Sequence, residues 1–160
     1  MVKIFLYASL FLIAACTPKA PTFEDGAAAM KAGDQAKGYK IFKDLAGKGN
    51  TRAENEMGVM NEHGEGIPRD SSEAMKWYLK AADKGYPLAQ CNIGLMFYKG
   101  EGVPRDLVQA YKWFDLAMLK GNPHARGYID IIVREMNHGE IVEGQRLARE
   151  WQSKSAKPSP

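Results

Sequence analysis

Residues 53–88 read AENEMGVMNEHGEGIPRDSSEAMKWYLKAADKGYPL, and residues 89–124 read AQCNIGLMFYKGEGVPRDLVQAYKWFDLAMLKGNPH. Laid over one another at an offset of 36 with no gap, the two blocks share sixteen positions. Among these are Ala53/Ala89, Gly58/Gly94, Gly64/Gly100, Gly66/Gly102, Pro68/Pro104, Arg69/Arg105, Asp70/Asp106, Ala74/Ala110, Trp77/Trp113 and Gly85/Gly121. Ordinary residue frequencies would produce about two or three matches by chance. A period of this length marks supersecondary units that stack, each burying its apolar face on the next. It specifies architecture and points away from chemistry.

One unit reads as two helices. Ala89, Ile93, Met96 and Phe97 recur at helical spacing over 89–99, with Ala89 and Gly94 small where two backbones approach. Gly100 to Asp106 breaks the helix: its glycines, Gly100 and Gly102, allow left-handed angles and Pro104 blocks continuation. Asp106 is placed to cap the second helix, and Gln109 three residues on is placed to complete a capping box, as are Asp70 and Glu73. The second helix runs to about Lys120 with Ala110, Trp113, Phe114 and Ala117 on one side. Gly121 then stops it, and Asn122-Pro123 opens the next.

The register continues outward. Ile41, Phe42, Ala46, Lys48 and Gly49 stand 36 residues before Trp77, Tyr78, Ala82, Lys84 and Gly85. This predicts an earlier pair, Phe23–Ala32 with Asp34–Gly47. Downstream, Ala125 and Ile129 keep step with Ala89 and Ile93, but the loop glycines, proline and tryptophan are gone. Ala125–Asn137 and Ile141–Trp151 are therefore expected as a divergent terminal pair, since an end repeat must face water on one side. The expected solenoid covers 23–152, with pairs at about 23–49, 53–85, 89–121 and 124–152, followed by a disordered tail at 153–160.

The unit Ala-x-x-x-Ile-Gly-x-x-Phe-x-x-Gly-x-Gly-Val-x-x-Asp-x-x-x-Ala-x-x-Trp-x-x-x-Ala over 89–117 resembles the Sel-one-like (Sel1-like) repeat, a relative of the tetratricopeptide unit. The block 53–88 departs from it at Asn61 and Glu62, where the next copy has Phe97 and Tyr98. The resemblance implies an all-α right-handed superhelix of antiparallel pairs with a concave groove. It also implies a scaffold or adaptor role in protein–protein interaction, with no catalytic residue.

The N-terminus stands outside this pattern. Lys3 precedes an apolar run from Ile4 to Ala15. Twelve helical residues span about 18 Å, short of the roughly 30 Å of a bilayer core. A basic start, short apolar core and small-residue exit describe a secretory signal peptide over 1–15. Ile13-Ala14-Ala15-Cys16 is similar to a bacterial lipobox, which implies cleavage before Cys16 and acylation of its thiol. Multiple acyl chains anchor a protein stably. The alternative is an ordinary signal peptide cut near Ala15. Thr17 after the cysteine, rather than Asp, implies the outer membrane facing the periplasm, and 16–22 reads as a short tether. Cys91 is then the one remaining thiol, either half-buried and free or paired between molecules.

Chemistry finds little support. Formal charge is +3 among 26% charged residues, and +2 without Lys3, so no nucleic-acid partner is expected. His63, His124 and His138 form no His-x-x-x-His pair or Cys/His cluster, so no metal site and no cofactor are expected. No Ser is followed by Lys three residues later, and the paired glycines lack the strand and third glycine of a nucleotide loop. Trp77, Trp113, Tyr78 and Phe114 could grip a ligand, but identical repeat positions favour a core role. Positions that differ between copies on the first helices are the groove candidates: Glu54/Gln90, Asn55/Cys91 and Glu62/Tyr98. The expected protein is a non-enzymatic, lipid-anchored envelope adaptor holding a protein or peptide segment. Alternatives are an accessory regulator of peptidoglycan or other envelope enzymes and, last, a hydrolase with an unrecognised site.

Overall fold

The computed structural model describes residues 19–155. The signal peptide and Cys16 expected from the sequence lie outside these residues. Eight helices follow one another: α1 (Phe23–Lys31), α2 (Gln35–Gly47), α3 (Thr51–His63), α4 (Ser71–Asp83), α5 (Pro87–Lys99), α6 (Leu107–Leu119), α7 (Ala125–Ile132) and α8 (His138–Ser155). From α1 to α7 each helix packs on its neighbours in the chain, so the first six form three stacked pairs. The buried side chains form three clusters along the stack. Phe42, Met57 and Met60 fill the first, Tyr78, Ile93, Met96 and Trp113 the middle, and Phe114, Ile129 and Ile132 the last.

Local signals set most boundaries. Thr22 caps α1 reciprocally, accepting from the Asp25 N–H while Asp25 Oδ2 accepts from the Thr22 N–H at 2.8 Å. Asp70 and Asp106 accept from the N–H groups of Glu73 and Gln109, each at 2.9 Å. The expected capping boxes are not completed. The Asp70 and Asp106 N–H groups donate instead to the carbonyls of Asn61 and Phe97, because the loop folds back along the preceding helix. Glu73 turns outward to Lys76. Gly64 and Gly100 end α3 and α5 at φ +74 and +75°, angles that carry a Cβ poorly. Asn122 receives the His124 and Ala125 N–H groups and so starts α7.

The second loop glycine has a contact in addition to the turn expected from the sequence. Gly102 does turn the chain, at φ +74°, and it is exposed rather than part of the core. Yet a Cβ there would lie 2.5 Å from Ser71 Cβ, on the first residue of α4 in the preceding repeat. Gly66 repeats the arrangement one unit earlier, where a Cβ would come within 3.0 Å of Gln35 at the start of α2. These glycines are therefore contacts between repeats as well as turns. Spacing within one unit does not show this, because the residue each one meets lies 31 positions earlier in the chain.

The helix glycines do more than let backbones approach. A Cβ on Gly58 would lie 2.4 Å from the Tyr78 ring, and one on Gly94 would lie 2.6 Å from Phe114. Gly26 receives Phe42 in the same way. In each pair the first helix leaves a socket that an aromatic ring of the second helix fills.

The C-terminal end departs from expectation. The helix expected over Ala125–Asn137 ends at Ile132, and the next starts at His138 rather than Ile141. Asn137 and Glu140 form a reciprocal cap, which requires the chain to leave the helix before 137. The last helix also extends through Ser155, into the segment expected as a disordered tail. Nor does α8 pair with α7. It packs chiefly on α6 and runs the same way, with Gly144 against Tyr111 near the start and Trp151 against Trp113 further on.

Candidate functional site

Five of the six groove candidates are enclosed by the chain itself. Glu54, Asn55, Glu62, Gln90 and Cys91 are all buried. The expectation that positions differing between repeats form contact surface is thus corrected for these five: the variation repacks the interior. Glu62 Oε2 accepts from the Tyr78 hydroxyl at 2.6 Å. In the next repeat the same two positions hold Tyr98 and Phe114, so two aromatic side chains replace the carboxylate–hydroxyl pair. Burial, together with the Glu62 carboxylate, drives the Tyr78 hydroxyl well above the usual phenol range. Asn55 accepts from Asn92 Nδ2 at 3.2 Å, linking α3 to α5. Cys91 sits in the last core, where burial pushes its thiol up to about 11. Tyr98 alone keeps substantial surface, with the Arg105 guanidinium over its ring and Arg105 held by Glu135 at 2.7 Å.

The repeated aromatics divide. Trp113, Tyr78 and Phe114 are core. Trp77 is half-buried and carries Lys80 on its ring at 3.9 Å. The difference lies in α8, whose Trp151 covers Trp113 edge-on at a centroid distance of 4.7 Å. Lys112 lies over both indoles, and burial holds its ammonium below the usual lysine range.

The placement of α8 also builds an open cleft of about 520 Å³ between the C-terminal ends of α4, α6 and α8 and the start of α5. Leu116, Leu119 and Trp151 give it an apolar wall; Asp83, Lys84, Gln90, Lys120 and Gln152 supply polar groups. Leu119 is 60% exposed, more than any other large apolar side chain among the described residues. Gln90 is only 2% exposed, yet its Oε1 has no hydrogen-bond partner. Its Nε2 donates to the Ala82 carbonyl at 3.4 Å, which orients the amide. A flip would set oxygen against oxygen.

The same register position in the preceding repeat shows what is missing. There Glu54 Oε1 pairs with Lys84 Nζ at 2.7 Å, and Lys84 also donates to the Gly49 carbonyl at 3.0 Å. Lys120 is the register mate of Lys84, and Gln90 of Glu54. Among the described residues no carboxylate pairs with Lys120. The signal was present in the alignment as a retained lysine whose acid becomes an amide, but its meaning required knowing that the two side chains meet.

His63, His124 and His138 are exposed, and among the described residues no group of His, Cys, Asp and Glu is placed to hold a metal ion. A second, smaller hollow is lined by Glu62, His63, Arg69, Lys99 and Glu101, with Glu62 already committed to Tyr78. No described helix is long and apolar enough to cross a membrane.

The Sel1 repeat model matches residues 51–86 and 87–122, the pairs α3–α4 and α5–α6. Among solved structures the chain is similar to a protective antigen present in uropathogenic Escherichia coli strains that displays an SLR fold. The TM-score is 0.77 and the identity 24%, over 86% of this chain and 32% of that one. It is also similar to a Sel1 repeat protein from Oxalobacter formigenes, at TM-score 0.67 and 26% identity, over 84% of this chain and 58% of that one. The chain thus spans about a third of the first structure and somewhat over half of the second. No curated protein matches it. The chain thus carries two Sel1 repeats inside an unbroken stack of helix pairs, and its fold is the all-α solenoid of the Sel1-repeat structures it is similar to.

Proposed function

We propose that this chain is a non-enzymatic scaffold that holds a partner protein in the bacterial cell envelope, fixed to a membrane through acylated Cys16. Two complete Sel1 repeats in a continuous solenoid carry this reading, because such repeats in general serve as protein-interaction scaffolds. The repeated residues serve packing or shape turns, which leaves the surface and the cleft to do the binding. The apolar run Ile4–Ala15 and the small residues before Cys16 support the anchor. Thr17 supports an outer-membrane site facing the periplasm.

Mass spectrometry of the mature N-terminus tests the anchor. A diacylated or triacylated Cys16 is expected, and an unmodified N-terminus at residue 16 or 17 would refute it. Crosslinking in intact envelopes tests the scaffold role. A stoichiometric protein partner lost on unfolding of the repeats is expected, whereas recovery of glycan strands alone would refute it.

A further inference from the structure

We infer that the cleft between α4, α5, α6 and α8 binds a partner segment in which a glutamate lies beside large apolar side chains. The inference rests on the scaffold reading above and assigns the chemistry of what the scaffold holds.

The two repeats supply the internal comparison. In the first, a buried glutamate side chain, Glu54, pairs with Lys84 through Oε1, while its Oε2 has no hydrogen-bond partner. In the second, the acid is Gln90, the lysine is kept as Lys120, and the position opens into the cleft. Lys120, exposed at the cleft, pairs with no carboxylate among the described residues. A peptide glutamate supplies that charge, pairing with Lys120 Nζ from the cleft as Glu54 pairs with Lys84 Nζ from within the fold.

The wall decides the neighbouring residues. Leu119, exposed beside Leu116, and the half-buried Trp151 offer an apolar surface next to the cation. A large apolar side chain adjacent to the glutamate covers it and excludes water from the charge pair, which strengthens the pair. Asp83 also lines the cleft and disfavours peptides with a run of acids, so one carboxylate flanked by apolar residues fits better than a polyacidic stretch.

Fluorescence anisotropy of the full chain with labelled peptides tests this. The probe is N-acetyl-Glu-Leu-Phe-amide carrying a fluorophore on a flexible spacer; the controls are its Gln counterpart and N-acetyl-Leu-Phe with a free C-terminal carboxylate. Saturable binding of the Glu peptide is expected, with about tenfold weaker binding of both controls. Gln90→Glu should weaken it about tenfold by rebuilding the internal pair with Lys120, and Lys120→Met should do the same by removing the cation. Melting curves of both variants verify that they fold. Equal binding of the Glu and Gln peptides, tighter binding of the free-carboxylate peptide, or undiminished binding by a folded Gln90→Glu variant would overturn the assignment. A partner crosslinked equally well by wild type and Gln90→Glu would leave the scaffold role standing while overturning this site. Loss of all crosslinks in wild type would overturn the scaffold role itself.

Discussion

Replacing Gly94 by Ala sets two effects against each other. In a helix interior Ala is favoured over Gly by about 1 kcal/mol. Gly94 is buried in α5, and its added Cβ would meet the Phe114 ring at 2.6 Å, well inside van der Waals contact. Phe114 is 0% exposed and stacks on Tyr128 at a centroid distance of 5.0 Å, so the ring has nowhere to retreat. Overpacking of this kind costs about 1–3 kcal/mol. The net expectation is a loss of about 1 kcal/mol, or a fall in Tm of roughly 4 °C for a domain of this size.

Gly127→Ala is the matched control. Nothing lies within 4 Å of its added Cβ and the site is exposed in α7, so the same substitution should stabilise by about 0.5–1 kcal/mol. Thermal melts followed by circular dichroism at the helix band would measure both. A third variant isolates the cause: Phe114→Leu should destabilise less in the Gly94→Ala background than in wild type, by about 1 kcal/mol of coupling. A Gly94→Ala protein that melts at or above wild type, or additive effects of the two substitutions, would refute the ring-in-socket account.

Tyr78→Phe should cost about 2 kcal/mol in urea unfolding, since it strips a buried carboxylate of its 2.6 Å partner. The double change Glu62→Tyr with Tyr78→Phe should recover most of that, because it removes the buried carboxylate and installs the residues that the second repeat carries at these positions. Lys84→Met should cost about 2 kcal/mol by leaving the Glu54 carboxyl group, 4% exposed, without its partner, while Lys120→Met should lie within about 0.5 kcal/mol of wild type in the same assay. Cys91 gives a pH dependence. Its thiol is raised from 9 to about 11 on folding, so the folded chain holds the proton more tightly. The resulting stability is fully present below pH 9 and is lost as pH rises toward 11, by at most about 2–3 kcal/mol. Cys91→Ala should flatten that decline relative to wild type, and equal slopes would refute it.

Much of the fold is legible in the sequence because its determinants are local. An aspartate before a helical run caps it, a glycine at a positive φ ends it, and Pro87 or Pro123 follows a turn whether or not the rest of the chain is known. The 36-residue register then multiplies each local signal, since two copies that agree at Gly64/Gly100 and Asp70/Asp106 agree on the loop between them. Gly102 shows the limit of that reading: its turn is local, but its contact with Ser71 belongs to the stacking of one repeat on another. The candidate surface was less legible still. Variation between copies was expected on the outside, yet Glu62/Tyr98 varies together with its partner position Tyr78/Phe114, and Glu54/Gln90 varies in the interior against a lysine that both copies keep, Lys84/Lys120. Two coupled interior positions and two free exterior ones look alike in a single chain.

The sequence by itself determined the helix pairs, their caps and the stack that joins them, because each rests on contacts between residues within about one repeat. Only the tertiary structure decided the fate of the last helix. Once the register lapses after Ile129, nothing local says whether His138–Ser155 lies on α7 or on α6. That choice follows from where Tyr111 finds a glycine at 144 and Trp113 finds an indole at 151. The packing of α8 covers Trp113, supplies the Trp151 wall and leaves open the cleft in which Gln90 lacks a donor. Contacts more than thirty residues apart create that site, and the repeat period does not encode them.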